Sequence, residues 1–305
     1  MLPGNSAEIN DVTAEAEEGV LTDKSSRIAA AHRLLRKPRR VEAGEFLAEG
    51  SQAVAEAVAS ELRDQGSAVR EIYITKEAGL KNVELIRAAF AARIEVTQVT
   101  ERAAAALSDT VSPQGIVARC TMALTDVEDV IAGQPRLVVV LVETNDPGNA
   151  GTIIRLADAA GADAVIFAGE SVDPFNPKAV RASTGSLFHL PVARAADIGL
   201  LLMQLSEAGL SVLATTGVSA NVDLDQATDD GILALPTAWL FGSEAHGLPA
   251  EVIAAADESI NVPIYGDAES LNLATAAAIC LYASARAHRS ERIVHEIASR
   301  DGISA

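Results

Sequence analysis

Cysteine is scarce. Cys120 and Cys280 are the only two in 305 residues, too few for a disulfide framework and in no metal-binding spacing. That usage fits a reducing cytosol. The five histidines are scattered without HExxH or CxxC partners, so the sequence offers no metal site. Aromatic residues make up 3% of the chain, which argues against the stacking platforms of RNA-recognition and OB modules. No apolar run approaches the ~20 residues of a membrane span, and the acidic start is not a signal peptide. These absences give the expectation of a cytoplasmic protein with no membrane segment. Bases are outnumbered as well: 24 Lys and Arg face 42 Asp and Glu, for a net charge of -18. That is, on average, the wrong sign for holding phosphates. GxGxxG after a strand, GxxxxGK[ST] and GxSxG are all missing. Their absence disfavours a Rossmann dehydrogenase, a P-loop ATPase and an α/β hydrolase. A class I methyltransferase would carry its glycine-rich loop early in the domain, whereas this chain has its glycines and best polar residues late.

What is present is unevenly distributed. Hydrophobic residues reach 49%, enough for real cores, and the length fits two domains. Residues 1–23 hold six acids and no base, and read as a solvated, disordered tail. Residues 24–40 hold seven bases and no acid. The bland account of that second block is a solvated helix face.

Periodicity predicts a small α/β unit over residues 24–122. It has a helix at 25–35, a strand at 46–48, and a helix at 51–60 with Ser51 as its cap. A strand at 70–75, a helix at 82–92 and strands at 94–99 and 114–120 complete it. A linker at 123–135 follows, ending in a turn at Gly133-Gln134-Pro135. Then come continuous apolar runs at 137–142, 164–168, 190–193, 210–214, 238–242 and 260–264. Six short buried strands with helical patterns between most of them predict a mostly parallel α/β sheet over residues 136–290, with a tail at 291–305. In such sheets ligands sit beyond the carboxyl ends of the strands.

Three stretches carry the chemistry. After the first buried strand comes Asn145-Asp-Pro-Gly-Asn149-Ala-Gly-Thr-Ile-Ile-Arg155. Asp-Pro-Gly is a turn, Asn149 is placed to cap a helix beginning at Ala150, and Arg155 would lie on that partly buried helix. A guanidinium there wants an anion, and its planar fork suits phosphate. A later strand leads into Gly242-Ser-Glu244-Ala-His-Gly247, two glycines flanking a carboxylate. Glycines there allow close backbone approach; His246 reads as an exposed turn residue. Last comes Val262-Pro-Ile-Tyr-Gly-Asp-Ala-Glu-Ser270-Leu271-Asn272, running into small residues from Ala274 to Ala278. Ser270 is expected to cap a helix starting near Leu271, with Asn272 in its first turn. Each stretch alone is also an ordinary strand–turn–helix.

Taken together, N-x-G-x-x-x-R (Asn149 to Arg155), G-S-E-x-x-G (Gly242 to Gly247) and V-P-x-x-G-x-x-x-S-L-N (Val262 to Asn272) resemble motifs 1, 2 and 3 of the SpoU/TrmH family. These are SPOUT-class RNA ribose 2'-O-methyltransferases. The region before them, including Ser112-Pro-Gln-Gly-Ile-Val, is similar to the L30e-like substrate-binding domain that often precedes the catalytic one. The layout resembles the thiostrepton-resistance type of 23S rRNA methyltransferase. The resemblance implies a C-terminal α/β knot, a deep trefoil that is a rare exception to unknotted topology. It implies S-adenosylmethionine held at Thr215, Gly242, Val262 and Leu271, and a homodimer through the knotted region. It makes Arg155 the residue that activates the 2'-OH, with Asn149, Glu244, Ser270 and Asn272 orienting arginine, ribose and cofactor. Arginine is a poor base, so a clamp on phosphate and developing alkoxide is the preferred role. Arg36, Lys37, Arg39 and Arg40 then become candidate phosphate contacts to RNA, with rRNA favoured over tRNA by analogy. A tRNA substrate, or an RNA-binding assembly factor that has lost methyl transfer, remains open.

Overall fold

The computed structural model describes residues 19–62, 69–217 and 220–300, with side chains to residue 290. The chain divides into two units, residues 1–121 and 122–305.

The first unit carries a four-stranded sheet in the order β1-β4-β2-β3, from Glu45–Glu49 (β1), Val69–Ile74 (β2), Val96–Gln98 (β3) and Ile116–Thr121 (β4). β4 pairs antiparallel with both β1 and β2, while β3 joins β2 in parallel. Ile28, Ala31, Leu34, Leu47, Tyr73, Val99 and Leu107 are buried together on one side of it. Most of the acidic tail, residues 1–18, lies outside the described residues. Its end is not a free tail, since the backbone of Leu21 exchanges hydrogen bonds with Gln98 and Thr100 at 3.0 Å each. Ser51 is the first residue of its helix rather than the cap; its N–H donates to Gln114 Oε1 at 2.9 Å.

The basic segment folds as an elbow, in place of the helix at 25–35 and following loop that were expected. A helix at Ser26–His32 passes into a tight turn at Arg33–Leu35, then a second helix at Lys37–Ala43. Pro38 explains the break, because it has no N–H to give the Leu34 carbonyl and its ring clashes there, so a continuous helix cannot run through it. Arg40 corrects one expectation outright. It is 1% exposed, and its Nη1 donates to the carbonyls of Leu34 and Leu35 at 3.0 Å each. A buried guanidinium committed to backbone carbonyls offers no surface to an RNA phosphate. Bonds from a charged donor are worth ~1.5–3 kcal/mol each, so Arg40→Ala is expected to cost about 3 kcal/mol of unfolding free energy. Arg36→Ala, at an exposed position, should stay within about 0.5 kcal/mol. Urea denaturation of the two variants checks this, and equal midpoints would contradict it.

The second unit is built on a seven-stranded sheet in the order β7-β6-β5-β10-β8-β11-β9. Its strands are Leu137–Val142 (β5), Ala164–Ala168 (β6), Val192–Ala195 (β7), Ser211–Thr215 (β8), Val222–Asp223 (β9), Thr237–Phe241 (β10) and Glu258–Asn261 (β11). Every pairing in it is parallel. The six expected strands are all present, with β9 added at the edge. β5, β6 and β10 are buried along their whole length, the pattern of strands covered on both faces. Several boundaries move, among them that of the third strand, expected at 190–193 and found at Val192–Ala195. The linker contains a helix, Val127–Ala132, whose Val127 and Val130 join the sheet core. The last strand ends at Asn261, and the final helix, Leu273–Arg300, runs through most of the expected tail.

That final helix is pinned to the sheet by Trp239, the largest fully buried side chain, whose Nε1 donates to the buried Ser284 hydroxyl at 2.9 Å. On the same helix, burial pushes the Cys280 thiol up to about 12. Burial likewise raises Cys120, so both are inert structural thiols at neutral pH.

Candidate active site

The sheet order reverses between β5 and β10, the kind of crevice at strand carboxyl ends where open α/β sheets bind ligands. The loops leaving these two strands meet there. Beside them, over β8 and β11, opens a cleft of about 430 Å³. Thr215 at the end of β8, Gly242 after β10, and Val262 and Leu271 after β11 all line it. So do Glu244, Ser270 and Asn272. Ser243 of the glycine motif lines it too, as do residues the sequence reading did not single out, among them Thr216, Gly217, Ile264 and Glu269. For Thr216 and Gly217 the signal was available, since they directly follow the end of β8.

Local chemistry explains the loop shapes. Out of β5, Asp146 rather than Asn149 caps the helix Pro147–Ala160, its Oδ1 accepting the Asn149 N–H at 2.8 Å. Pro147 takes the first helical position, where its missing N–H costs nothing. Lys178 Nζ sits 2.7 Å from Asp146 Oδ2. That lysine first, and the Asn149 N–H next, hold the Asp146 carboxyl below its ordinary range. With the cap supplied upstream, the Asn149 side chain is left free to point elsewhere.

It points to the other two stretches. Asn149 Nδ2 donates to Glu244 Oε1 at 3.0 Å, and Asn149 Oδ1 accepts from Asn272 Nδ2 at 3.3 Å. Asn145 adds a backbone N–H to Glu244 Oε2 at 3.4 Å. One side chain thereby joins three loops that are far apart in sequence. Asn272 has a second duty that was expected of Ser270. Its Oδ1 accepts the N–H groups of Ala274 at 2.9 Å and Thr275 at 3.3 Å, so Asn272 is the cap and the helix begins at Leu273. Ser270 lies two residues too early to reach those donors, and instead faces the cleft.

The glycine loop after β10 is drawn tight by paired backbone bonds between Ser243 and Gly247, at 3.1 and 2.9 Å. A Cβ on Gly242 would lie 2.2 Å from the Gly247 carbonyl carbon, so only glycine fits. His246 is exposed in this turn, as expected.

Arg155 stands apart. It is exposed, and it does not line the cleft of its own chain. It lies six residues beyond Asn149, which is ~9 Å along a helix. Its Nη1 approaches Thr184 Oγ1 at 3.5 Å. Of the four residues expected to contact RNA, Arg36, Lys37 and Arg39 are exposed in the other unit, and Arg39 pairs with Glu42 at 2.5 Å.

Comparison with known proteins agrees with this geometry. Residues 136–282 match the SpoU rRNA Methylase family, and residues 47–125 match the RNA 2'-O ribose methyltransferase substrate binding family. The 23S rRNA (guanosine(2553)-2'-O)-methyltransferase RlmP of Bacillus subtilis is 34% identical over 85% of this chain and 96% of its own. The 23S rRNA (uridine(2479)-2'-O)-methyltransferase of Streptomyces viridochromogenes is 31% identical over 89% of this chain and 93% of its own. Among solved structures, the SpoU methyltransferase AviRb of Streptomyces viridochromogenes, in complex with the cofactor AdoMet, superposes with a TM-score of 0.72 at 31% identity, covering 87% of this chain and all of that one (100%). The AdoMet-bound rRNA methyltransferase of Sinorhizobium meliloti gives 0.72 at 30% identity over 88% of this chain and 98% of its own. With three motif loops meeting at one sheet crevice and relatives matched along nearly their whole length, this chain belongs to the SpoU rRNA methylase family.

Proposed function

We propose that the chain transfers a methyl group from S-adenosylmethionine to a ribose 2'-OH of RNA, most simply 23S rRNA, in the cytoplasm. The observation that carries this reading is the chain of side-chain bonds Glu244–Asn149–Asn272, which gathers the three motif loops at the mouth of the cleft. The cleft suits the cofactor. Its volume of about 430 Å³ lies in the range of small-molecule sites. Gly217, Gly242 and Gly247 leave backbone groups open to it, and Ile260, Val262, Ile264 and Leu271 give apolar walls.

When bound, the cofactor supplies the methyl group on a sulfonium. What the protein must add is position, and help for the departing proton. Thr215, Gly242, Val262 and Leu271 would hold the cofactor, while Asn149, Glu244, Ser270 and Asn272 would orient Arg155, the ribose and the cofactor. Arg155 clamps the neighbouring phosphate and steadies charge developing on the 2'-oxygen. Arg155 does not line the cleft of its own chain; the family resemblance implies a catalytic arginine that reaches toward the partner's cofactor, so Arg155 would serve the cleft of a second copy, in a homodimer formed through the C-terminal domain. Arg36 and Lys37, exposed on the elbow, contribute phosphate contacts.

Calorimetry with S-adenosylmethionine tests the cofactor site. Wild type is expected to bind in the micromolar range and Asn272→Ala to lose that binding. Asn272→Asp keeps the cap acceptor but not the Nδ2 donor to Asn149, so it separates helix capping from loop assembly. A folded wild type that binds no S-adenosylmethionine would overturn methyl transfer.

A further inference from the structure

A second cleft, of about 330 Å³, opens in the first unit at the basic elbow. Ala30, Arg33, Arg39, Glu42, Glu45 and Arg119 are among the residues that line it. Its walls are built to hold shape. Arg40 ties the carbonyls of Leu34 and Leu35 to the Lys37–Ala43 helix from beneath. Gly44, in the left-handed region at φ 65°, then turns the chain directly into β1.

The charges in this cleft are mixed. Arg39 pairs with Glu42 at 2.5 Å, and Arg119 pairs with Glu45 at 3.2 Å. Arg119 also keeps its Nε–H buried without an acceptor. Arg33 is exposed, and among the described residues nothing pairs with it. Two carboxylates in the lining would repel a free anion. A nucleobase is different, because its edge carries donors and acceptors together and its face stacks on guanidinium planes. One uncompensated arginine suits the single phosphate that comes with one nucleotide.

We propose that this cleft holds one unpaired nucleotide of the RNA substrate, its base among the Arg39–Glu42 and Arg119–Glu45 pairs and its phosphate on Arg33. The proposal rests on the reading that the substrate is RNA. The substrate-binding family match begins at residue 47. Arg33, Arg39, Glu42 and Glu45 precede it, so most of this cleft comes from sequence outside the matched family region. It would therefore bear on which RNA the chain selects rather than on binding RNA at all.

The test uses the full chain and a 23S rRNA transcript in filter binding across a salt series. Ala30 is exposed, so Ala30→Phe fills the cleft without changing charge. It is expected to weaken binding about tenfold, the scale of lost base stacking, with an unchanged salt slope. Arg33→Gln should reduce the slope of log affinity against log salt by ~0.7, the value for one single-strand phosphate. Both variants should bind S-adenosylmethionine as wild type does. Ala43→Phe, at a second exposed lining position, replaces Ala30→Phe if that variant unfolds. Separately, the arginine Nε–H resonances are followed by NMR during titration with AMP, GMP, CMP, UMP and inorganic phosphate. Nucleotides should move both the Arg33 and the Arg119 signals, and inorganic phosphate should leave Arg119 unmoved. Equal shifts with phosphate, or no shift with any nucleotide, overturns the nucleotide cleft. Wild-type affinity for the transcript in the Phe variant overturns the cleft while leaving the RNA reading intact. A wild type that binds no transcript overturns the RNA reading, and the proposal with it.

Discussion

Arg155→Ala is expected to lose about three orders of magnitude in turnover, at the upper end of the usual cost of removing one transition-state donor, while S-adenosylmethionine affinity stays within about twofold. The separation follows from position. Arg155 is exposed and does not line the cofactor cleft. Its recorded side-chain neighbour is Thr184 at 3.5 Å. An exposed side chain with so little packing contributes at most about 0.5 kcal/mol to stability, so the variant should unfold with an unchanged midpoint. Arg155→Lys should also be severely impaired, because a point charge cannot replace a planar fork on phosphate and alkoxide together. Full activity in the lysine variant would remove the clamp. The location also makes a sharper demand. If Arg155 serves the partner's cleft, co-expressing Arg155→Ala with Asn272→Ala gives mixed dimers in which one site joins an intact cleft to an intact arginine. Two inactive proteins then yield an active one. An Arg155 acting within its own chain would leave every site in the mixture dead.

Gly242→Ala is expected to abolish cofactor binding and to lower thermal stability, at the upper end of the ~1–3 kcal/mol seen for overpacked interiors. The methyl group would lie 2.2 Å from the Gly247 carbonyl carbon, 2.3 Å from the Leu248 nitrogen and 2.4 Å from the Gly247 oxygen. All three are backbone atoms, and the paired bonds between Ser243 and Gly247 leave them little room to retreat. The loop must open, and the cleft wall opens with it. Gly247→Ala is the control. Nothing lies within 4 Å of a Cβ there, but φ is +69°, so the cost is left-handed backbone strain of ~1–2 kcal/mol with the cleft retained. Calorimetry and thermal unfolding on both variants check the contrast. Equal loss of affinity in the two would show that the close approach at Gly242 is not what shapes the site.

These two glycines show where sequence reasoning stops. Both stood out as residues flanking Glu244 past a strand end. Nothing in the spelling says that one is held by close approach and the other by a positive φ. The same holds for the caps. Asn149 and Ser270 are good capping residues in plausible positions, yet Asp146 and Asn272 take those duties. In the first case the proline at the start of the helix sets its beginning three residues earlier than expected. The displaced Asn149 becomes the link between loops, a role defined by Glu244 and Asn272, which are 95 and 123 residues away.

Local chemistry was enough for the outline. Runs such as Leu137 to Val142 bury themselves on both faces whatever follows them, so a parallel sheet with its functional loops at the strand ends was legible from hydrophobic pattern and turn residues alone. So were Thr215, Gly242, Val262 and Leu271 as neighbours in one cleft, through the family spacing. Tertiary structure decided what depends on partners distant in sequence. It buried Arg40 while leaving Arg36 and Lys37 exposed. It put Arg155 outside the cleft whose lining residues Glu244 and Asn272 bond to Asn149, and it folded the basic segment around a cleft of its own. A charge run reads the same whether water or a carbonyl solvates it, and only packing determines which.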